Sequence, residues 1–282
     1  KRPGLGECDE HKNVREDRMT ESHLTRRDAM LAATVAGAAI AAPTMAQDKK
    51  PAYEFGVRDV TWSNIGGKPR LARIYQPRGD GPFPLVVQVH GGAWNNKDRT
   101  DGQNTSLDLC AAGIVVVSID FRNAPEAPYP ASLADINLGI RWAKAHAKEF
   151  GSSADRVGLY GTSSGGHQVL LAAIRPDDPR YRAHALAEAP DMDAKVAFVV
   201  SGWGVLYPLV RRDLAKARGD ATLVKSHETF FGTDEIHLEA TPTLVIERGE
   251  KVFLPPALVF QGDKDEWTSV DRKSTRLNSS HI

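Results

Sequence analysis

The tightest constraint in the chain is Gly161-Thr162-Ser163-Ser164-Gly165-Gly166, a run of small residues. It follows the apolar stretch Val157-Gly158-Leu159-Tyr160 and opens a helical pattern that continues to about Ile174. A strand that turns directly into a helix leaves room only for small side chains around the turn, so Gly161 and Gly165 support Ser163 between them. The turn lifts the Ser163 hydroxyl out of the sheet. It aims the hydroxyl at a helix N-terminus, where backbone N–H groups favour developing negative charge. Glycine–serine turns also occur in ordinary loops, so the surrounding pattern decides the reading. Ser164, the competing nucleophile, stands one place late for the G-x-S-x-G spacing.

The surrounding pattern is that of an α/β protein with a mostly parallel sheet, because strand signals alternate with helical ones between Tyr53 and Val270. Val57 to Trp62 and Leu71 to Tyr75 alternate as a half-exposed hairpin would, with Gly66-Gly67 between them. Leu85 to Val89 and Ile114 to Ile119 are short apolar runs, suited to central strands covered on both faces. Leu133, Ile136, Ile140 and Ala143 recur at helical spacing. Val196 to Val200 and Leu258 to Phe260 read as two further buried strands. The segment 203–254 between them is longer than a simple crossover and is a candidate cap.

A second motif, His90-Gly91-Gly92-Ala93-Trp94, directly follows the run Leu85 to Val89. Glycines there let backbone N–H groups approach a substrate oxygen closely. Acyl transfer needs such donors for the tetrahedral oxyanion, each worth about 3–4 kcal/mol. Two motifs, each after a strand and in the order acyl transfer requires, strengthen one another.

On these residues the stretch from about Arg70 to Val270 resembles the esterase/lipase group of α/β-hydrolases, which includes hormone-sensitive-lipase-like and BD-FAE-like carboxylesterases. The motif at His90 and Gly91 resembles that group's HGGG-type segment, with Ala93 in place of the third glycine. The resemblance implies that the amides of Gly92, Ala93 and Ser164 hold the oxyanion. Asp120 to Glu126 resembles the group's D-Y-R-x-A-P-E segment, which implies a local ion pair between Asp120 and Arg122. Gln261-Gly262-Asp263-Lys264-Asp265-Glu266 resembles the turn that carries the triad acid. Its register implies Asp265 rather than Asp263, although either aspartate also suits a plain turn.

The chain order Ser…Asp…His requires a histidine after the acid, and beyond Asp265 the sequence holds only His281. His167 reads as packed on the helix after Ser163; His146, His184, His227 and His237 read as surface or cap residues. Residues 271–282 resemble a translated sequencing adapter rather than native sequence, so the expectation is that the native base, with a last strand and helix, is lost beyond Val270.

At the other end, residues 19–46 combine Arg26-Arg27, an Ala-rich apolar stretch and small residues up to Ala46. The expectation is a twin-arginine-type signal peptide and an exported, periplasmic or secreted product starting near Gln47, although Ala29 stands where such signals usually carry Phe. Residues 1–18 read as doubtful upstream translation. The hydrolase domain is then 47–270.

Composition limits the partners. Lys plus Arg and Asp plus Glu are 36 each, so a polyanion such as nucleic acid has no net electrostatic handle. No run of 18 apolar residues suggests a membrane span. Of the two cysteines, Cys8 falls in 1–18, so no internal disulfide is expected and Cys110 reads as a small buried hydrophobe. No metal or nucleotide motif is present, so no cofactor is expected.

The reading is a serine hydrolase cleaving a small-molecule carboxylic ester through an acyl-enzyme, with Ser163 as nucleophile and Asp265 as acid. In the chain as given it is expected to be nearly inactive for want of its histidine. The alternatives are an amide, formamide or peptide hydrolase on the same machinery, or a non-catalytic binding relative. Oligomeric state is not legible.

Overall fold

Leu85–Val89 (β3) and Val115–Ile119 (β4) are buried along their whole length and lie side by side in parallel register. Strands covered on both faces are mostly apolar, which is why these runs do not alternate; their two polar residues are buried with partners, Gln88 Nε2 donating to Asp101 O and Ser118 Oγ to Arg99 O. They belong to a computed structural model that describes residues 52–267. Segments 1–18, 19–46 and 271–282, and the leader, tail and His281 readings attached to them, lie outside the described residues.

The sheet order is β1-β2-β4-β3-β5-β6-β7. Here β1 is Phe55–Ser63, β2 Arg70–Pro77, β5 Val157–Thr162, β6 Val199–Gly202 and β7 Ala257–Phe260. β1, β2 and β4 are linked by antiparallel pairings; the pairs β4–β3, β3–β5, β5–β6 and β6–β7 are parallel. The β1–β2 hairpin forms as the alternation predicts, and Gly66 and Gly67 take the left-handed φ values of 68° and 72° that its connection demands.

Alternate side chains of the central strands feed two layers. Leu85, Val87, Val117 and Leu159 join the larger core with residues of helices α2 (Ala131–Ala145) and α3 (Ser164–Ile174). Val86, Val116 and Tyr160 join a smaller one with Cys110 on α1 (Gln103–Ala111). Cys110 is fully buried, as expected, and burial pushes its thiol up to about 12.

Three expectations need correction. The strand expected at Val196 to Val200 runs Val199–Gly202, because Val196 is packed outside the sheet before the chain enters it. β7 is not buried: Leu258 is 59% and Phe260 40% exposed, since β7 is the edge strand among the described residues. Asp120 and Arg122 do not pair with each other. Asp120 accepts from Arg99 at 3.0 Å, and Arg122 forks onto the buried Asp135 at 2.6 and 2.8 Å. Each arginine therefore ties the loop after β4 to a different element, which a bond between near neighbours would not do.

The segment 203–254 contains four helices: α4 (Pro208–Ala217), α5 (Ala221–Phe231), α6 (Asp234–Glu239) and α7 (Pro242–Glu247). Asp220 and Thr233 cap α5 and α6 by accepting from Leu223 and Ile236 N–H. No helix among the described residues is long and apolar enough to cross a membrane.

Candidate active site

Ser163 stands between β5 and α3 with φ 54° and ψ −123°, a backbone conformation that costs a non-glycine residue about 1–3 kcal/mol. The neighbours hold it there. Ser163 N–H donates to Gly202 O at 3.0 Å, and Ser163 O accepts from His167 N–H at 3.1 Å and Val205 N–H at 3.3 Å. The glycines around it are needed for close approach. A Cβ on Gly161 would lie 2.6 Å from Gly165 O, and one on Gly165 would run into Val89 O and His90 O. The strand-to-helix elbow is thus built as the small-residue run implies.

The loop after β3 faces it. A Cβ on Gly91 would come within 3.4 Å of Ser163 Cβ, so the loop and the serine are in close contact. Gly92, Ala93 and Trp94 have successive positive φ values of 97°, 50° and 65°. Of these, Gly92 and Ala93 line the cleft beside Ser163, whereas Trp94 N–H donates to Ser164 Oγ. Ala93 keeps its backbone donor, but at φ 50° it also bears a left-handed strain of about 1–2 kcal/mol, which is not legible in the motif. His90 is buried, stacks on Phe121 at 4.3 Å, and its Nδ1 donates to Gly91 O at 2.9 Å. Burial holds its pKa below the ordinary value, which keeps this structural ring neutral.

Ser164 is fully buried, and its Oγ accepts from Trp94 N–H at 3.2 Å. Its hydroxyl is therefore built into the link between loop and elbow. Trp94 is 1% exposed. Its Nε1–H donates to His167 Nδ1 at 3.3 Å, which leaves the His167 proton on Nε2 to donate to Ala240 O at 2.7 Å. Burial brings His167 down to about 4, so the ring is a neutral strut between the loop and the end of α6.

Asp265 lies on the turn after β7, beyond the C-terminal end of the parallel strands that carry both motifs. Its Oδ1 accepts from Trp267 N–H at 2.9 Å, and its Oδ2 from Gln261 Nε2. Asp263 and Asp265 sit on the same turn, and the bonds at Asp265 fix its carboxylate more firmly than sequence register alone suggests.

His90, His146, His167, His184 and His237 hydrogen-bond to groups other than Ser163, and the ring nitrogens of His227 have no hydrogen-bond partner among the described residues. His227 and His237, expected to be surface or cap residues, lie on α5 and α6 of the 203–254 segment and are fully buried, stacking on each other at 5.6 Å and on Phe231 at 5.9 and 4.3 Å. Apolar neighbours from α5 enclose them, and sequence spacing gave no sign of that enclosure.

A cleft of about 550 Å³ brings Ser163, Thr162, Gly91, Gly92 and Ala93 together with Trp203. The indole of Trp203, 46% exposed, forms one wall, and Lys97 and Asp101 pair at 2.7 Å on another. No His/Cys/Asp/Glu group able to hold a metal occurs among the described residues.

A strained serine between strand and helix, facing a glycine-rich loop from the adjacent parallel strand, defines an α/β-hydrolase site. The BD-FAE family model matches residues 73–280, most of the chain, and the chain belongs to that family. Similar curated proteins include a probable carboxylic ester hydrolase, LipM, of Mycobacterium tuberculosis. It is 27% identical over 231 residues, covering 76% of this chain and 52% of LipM. Esterase LipC of the same organism is 32% identical over 188 residues, 65% of this chain and 45% of LipC. The chain spans about half the length of these relatives. Among solved structures, Thermogutta terrifontis esterase 2 phosphonylated by sarin aligns with a TM-score of 0.61 at 19% identity, over 77% of this chain and 76% of that one. A hyperthermophilic esterase from the archaeon Pyrobaculum calidifontis aligns with a TM-score of 0.56 at 23% identity, over 72% and 65%. The fold is the α/β-hydrolase fold that the motifs imply.

Proposed function

We propose that this protein hydrolyses small-molecule carboxylic esters through an acyl-enzyme on Ser163. The observation that carries the reading is the strained Ser163 in one cleft with the Gly91-Gly92-Ala93 loop. In the proposed reaction Ser163 Oγ attacks the ester carbonyl, and the amides of Gly92, Ala93 and Ser164 receive the oxyanion. A histidine takes the serine proton and passes it to the departing alkoxide; Asp265 orients that histidine. Water then attacks the acyl-enzyme by the same route in reverse, releasing the acid. Esters rather than amides are favoured by the curated relatives, whose names are those of ester hydrolases.

The only histidine after Asp265 is His281, so we propose that the 282-residue chain turns over esters poorly. A catalytic base needs rigid support within about 3 Å of the hydroxyl it serves. The test compares short-chain ester hydrolysis by residues 47–270 with that of the same residues joined to the C-terminus of a BD-FAE relative. We expect the completed form to be faster by at least about 10⁴-fold. Comparable rates would overturn the assigned triad order, and silence from both would overturn the esterase reading.

A further inference from the structure

Arg211, on the first helix after Ser163's strand neighbour β6, is an unusual resource beside this site. Its Nε and Nη1 are buried and have no hydrogen-bond partner among the described residues. Its guanidinium lies 5.9 Å from the ring of Trp94, the residue that follows Ala93 in the loop facing Ser163. His227, whose two ring nitrogens are also buried without partners, meets the same indole edge-on at 4.8 Å. Arg211 is near enough to Asp265 and Asp220 for both to act on it electrostatically, but burial still outweighs them and lowers its basicity. Donors withheld from water in this way are costly unless an acceptor arrives, and a guanidinium is shaped for a carboxylate. The residue remains partly exposed, so a ligand has a path to it.

We propose that Arg211, with His227 beside it, forms an anion-recognition subsite next to the candidate oxyanion loop, and that the ester taken by this protein carries a free carboxylate. The inference rests on the esterase reading for the word ester, and on Arg211 alone for the word carboxylate. It makes Arg211 a specificity determinant rather than a participant in bond cleavage. His227, fully buried behind it, is kept neutral by burial and so adds no competing charge.

The test uses binding to the full 282-residue chain, so that it does not depend on turnover. The probes are monomethyl succinate and its neutral counterpart, dimethyl succinate, followed by calorimetry. We expect the monoester to bind about tenfold tighter, the scale of one charge-assisted hydrogen bond. R211Q should erase the difference, and R211K should keep part of it. A second measurement needs no variant: phenylglyoxal modification of Arg211, mapped by peptide mass, should be slowed by the monoester and not by the diester. Equal binding of the two probes, or no selective protection of Arg211, would overturn the proposal even if R211Q fails to fold. Discrimination without hydrolysis of either ester, by this chain or by a form completed with a relative's C-terminus, would sustain the subsite and count against the esterase reading alone.

Discussion

The backbone N–H of Trp94 donates to the side-chain oxygen of Ser164 at 3.2 Å, joining the loop after β3 to the first turn of α3. The two adjacent serines consequently have different work. Ser163 faces the cleft, whereas the hydroxyl of Ser164 is spent on holding the loop against the elbow.

Exchange of the two serines for alanine should separate these roles. In the form completed with a relative's C-terminus, S163A should lose all labelling by a fluorophosphonate probe. S164A leaves a buried amide without an acceptor, at a cost of about 1–3 kcal/mol, yet should still label. Gel fluorescence beside thermal melts would check both. Undiminished labelling of S163A would remove Ser163 from the mechanism.

Acid should destabilise the domain through its buried histidines. Burial lowers His167 to about 4 and holds His227 and His237 below their ordinary value. An unfolded chain binds these protons near pH 6.5, while the folded one refuses them, so this stability is present above about pH 6.5 and is lost as pH falls toward the folded values. The slope is about 1.4 kcal/mol per pH unit for each histidine in that window. H227F replaces a ring whose nitrogens have no partners among aromatic neighbours, and should raise Tm more near pH 5 than near pH 8. Equal shifts at both values would show that His227 is not the group being titrated.

The glycines of the elbow should not tolerate a methyl group. Gly165→Ala sets a Cβ against Val89 O and His90 O, and Gly161→Ala sets one 2.6 Å from Gly165 O. Each is expected to lose about 1–3 kcal/mol or to fail to fold, because the obstructing atoms are backbone. Gly56→Ala in β1 has open space around it and serves as the control. Urea titration would rank the three, and a tolerated Gly165→Ala would contradict the packing of α3 on β3.

The edge at β7 should promote association. Leu258 and Phe260 present exposed apolar side chains on the outermost strand of the described sheet. A charge on such an edge discourages further pairing. L258K should reduce light scattering at high concentration with little change in Tm. Scattering unchanged by L258K would place the association elsewhere.

We also propose export, on the strength of Arg26-Arg27 and the Ala-rich run after it. Replacing both arginines by lysine should abolish it, leaving an unprocessed protein in the cytoplasm, and N-terminal sequencing of the wild type should begin near Gln47. A mature protein that retains Met19 would contradict the signal reading.

Short, mostly apolar runs made β3, β4 and β5 readable from sequence, because a strand buried on both faces admits a polar residue only where a partner is at hand, as for Gln88 and Ser118. The elbow was readable because steric exclusion is local: Gly161 and Gly165 are needed by atoms only a few residues away or by the neighbouring strand. Long-range partnerships were not. Nothing near Arg122 in the chain points to Asp135 thirteen positions on, nor anything near His227 to His237 on the next helix. Arg211 was likewise invisible, since an arginine on an amphipathic helix looks like a surface residue until its missing partners are seen.

The register of β3 with β5 pairs Val89 with Gly161, so the two chain segments that leave the sheet toward the cleft do so from hydrogen-bonded neighbours. Their separation is therefore an inherited lattice spacing of about 4.8 Å, the distance between adjacent strands, and owes nothing to loop length. The insertion 203–254 departs from the next strand, β6. On the proposed reading, chemistry and selectivity are thus mounted on separate parts of one frame. Exchanging that insertion between relatives becomes a grafting operation: the reacting groups stay on their strands while the roof, Arg211 included, is replaced.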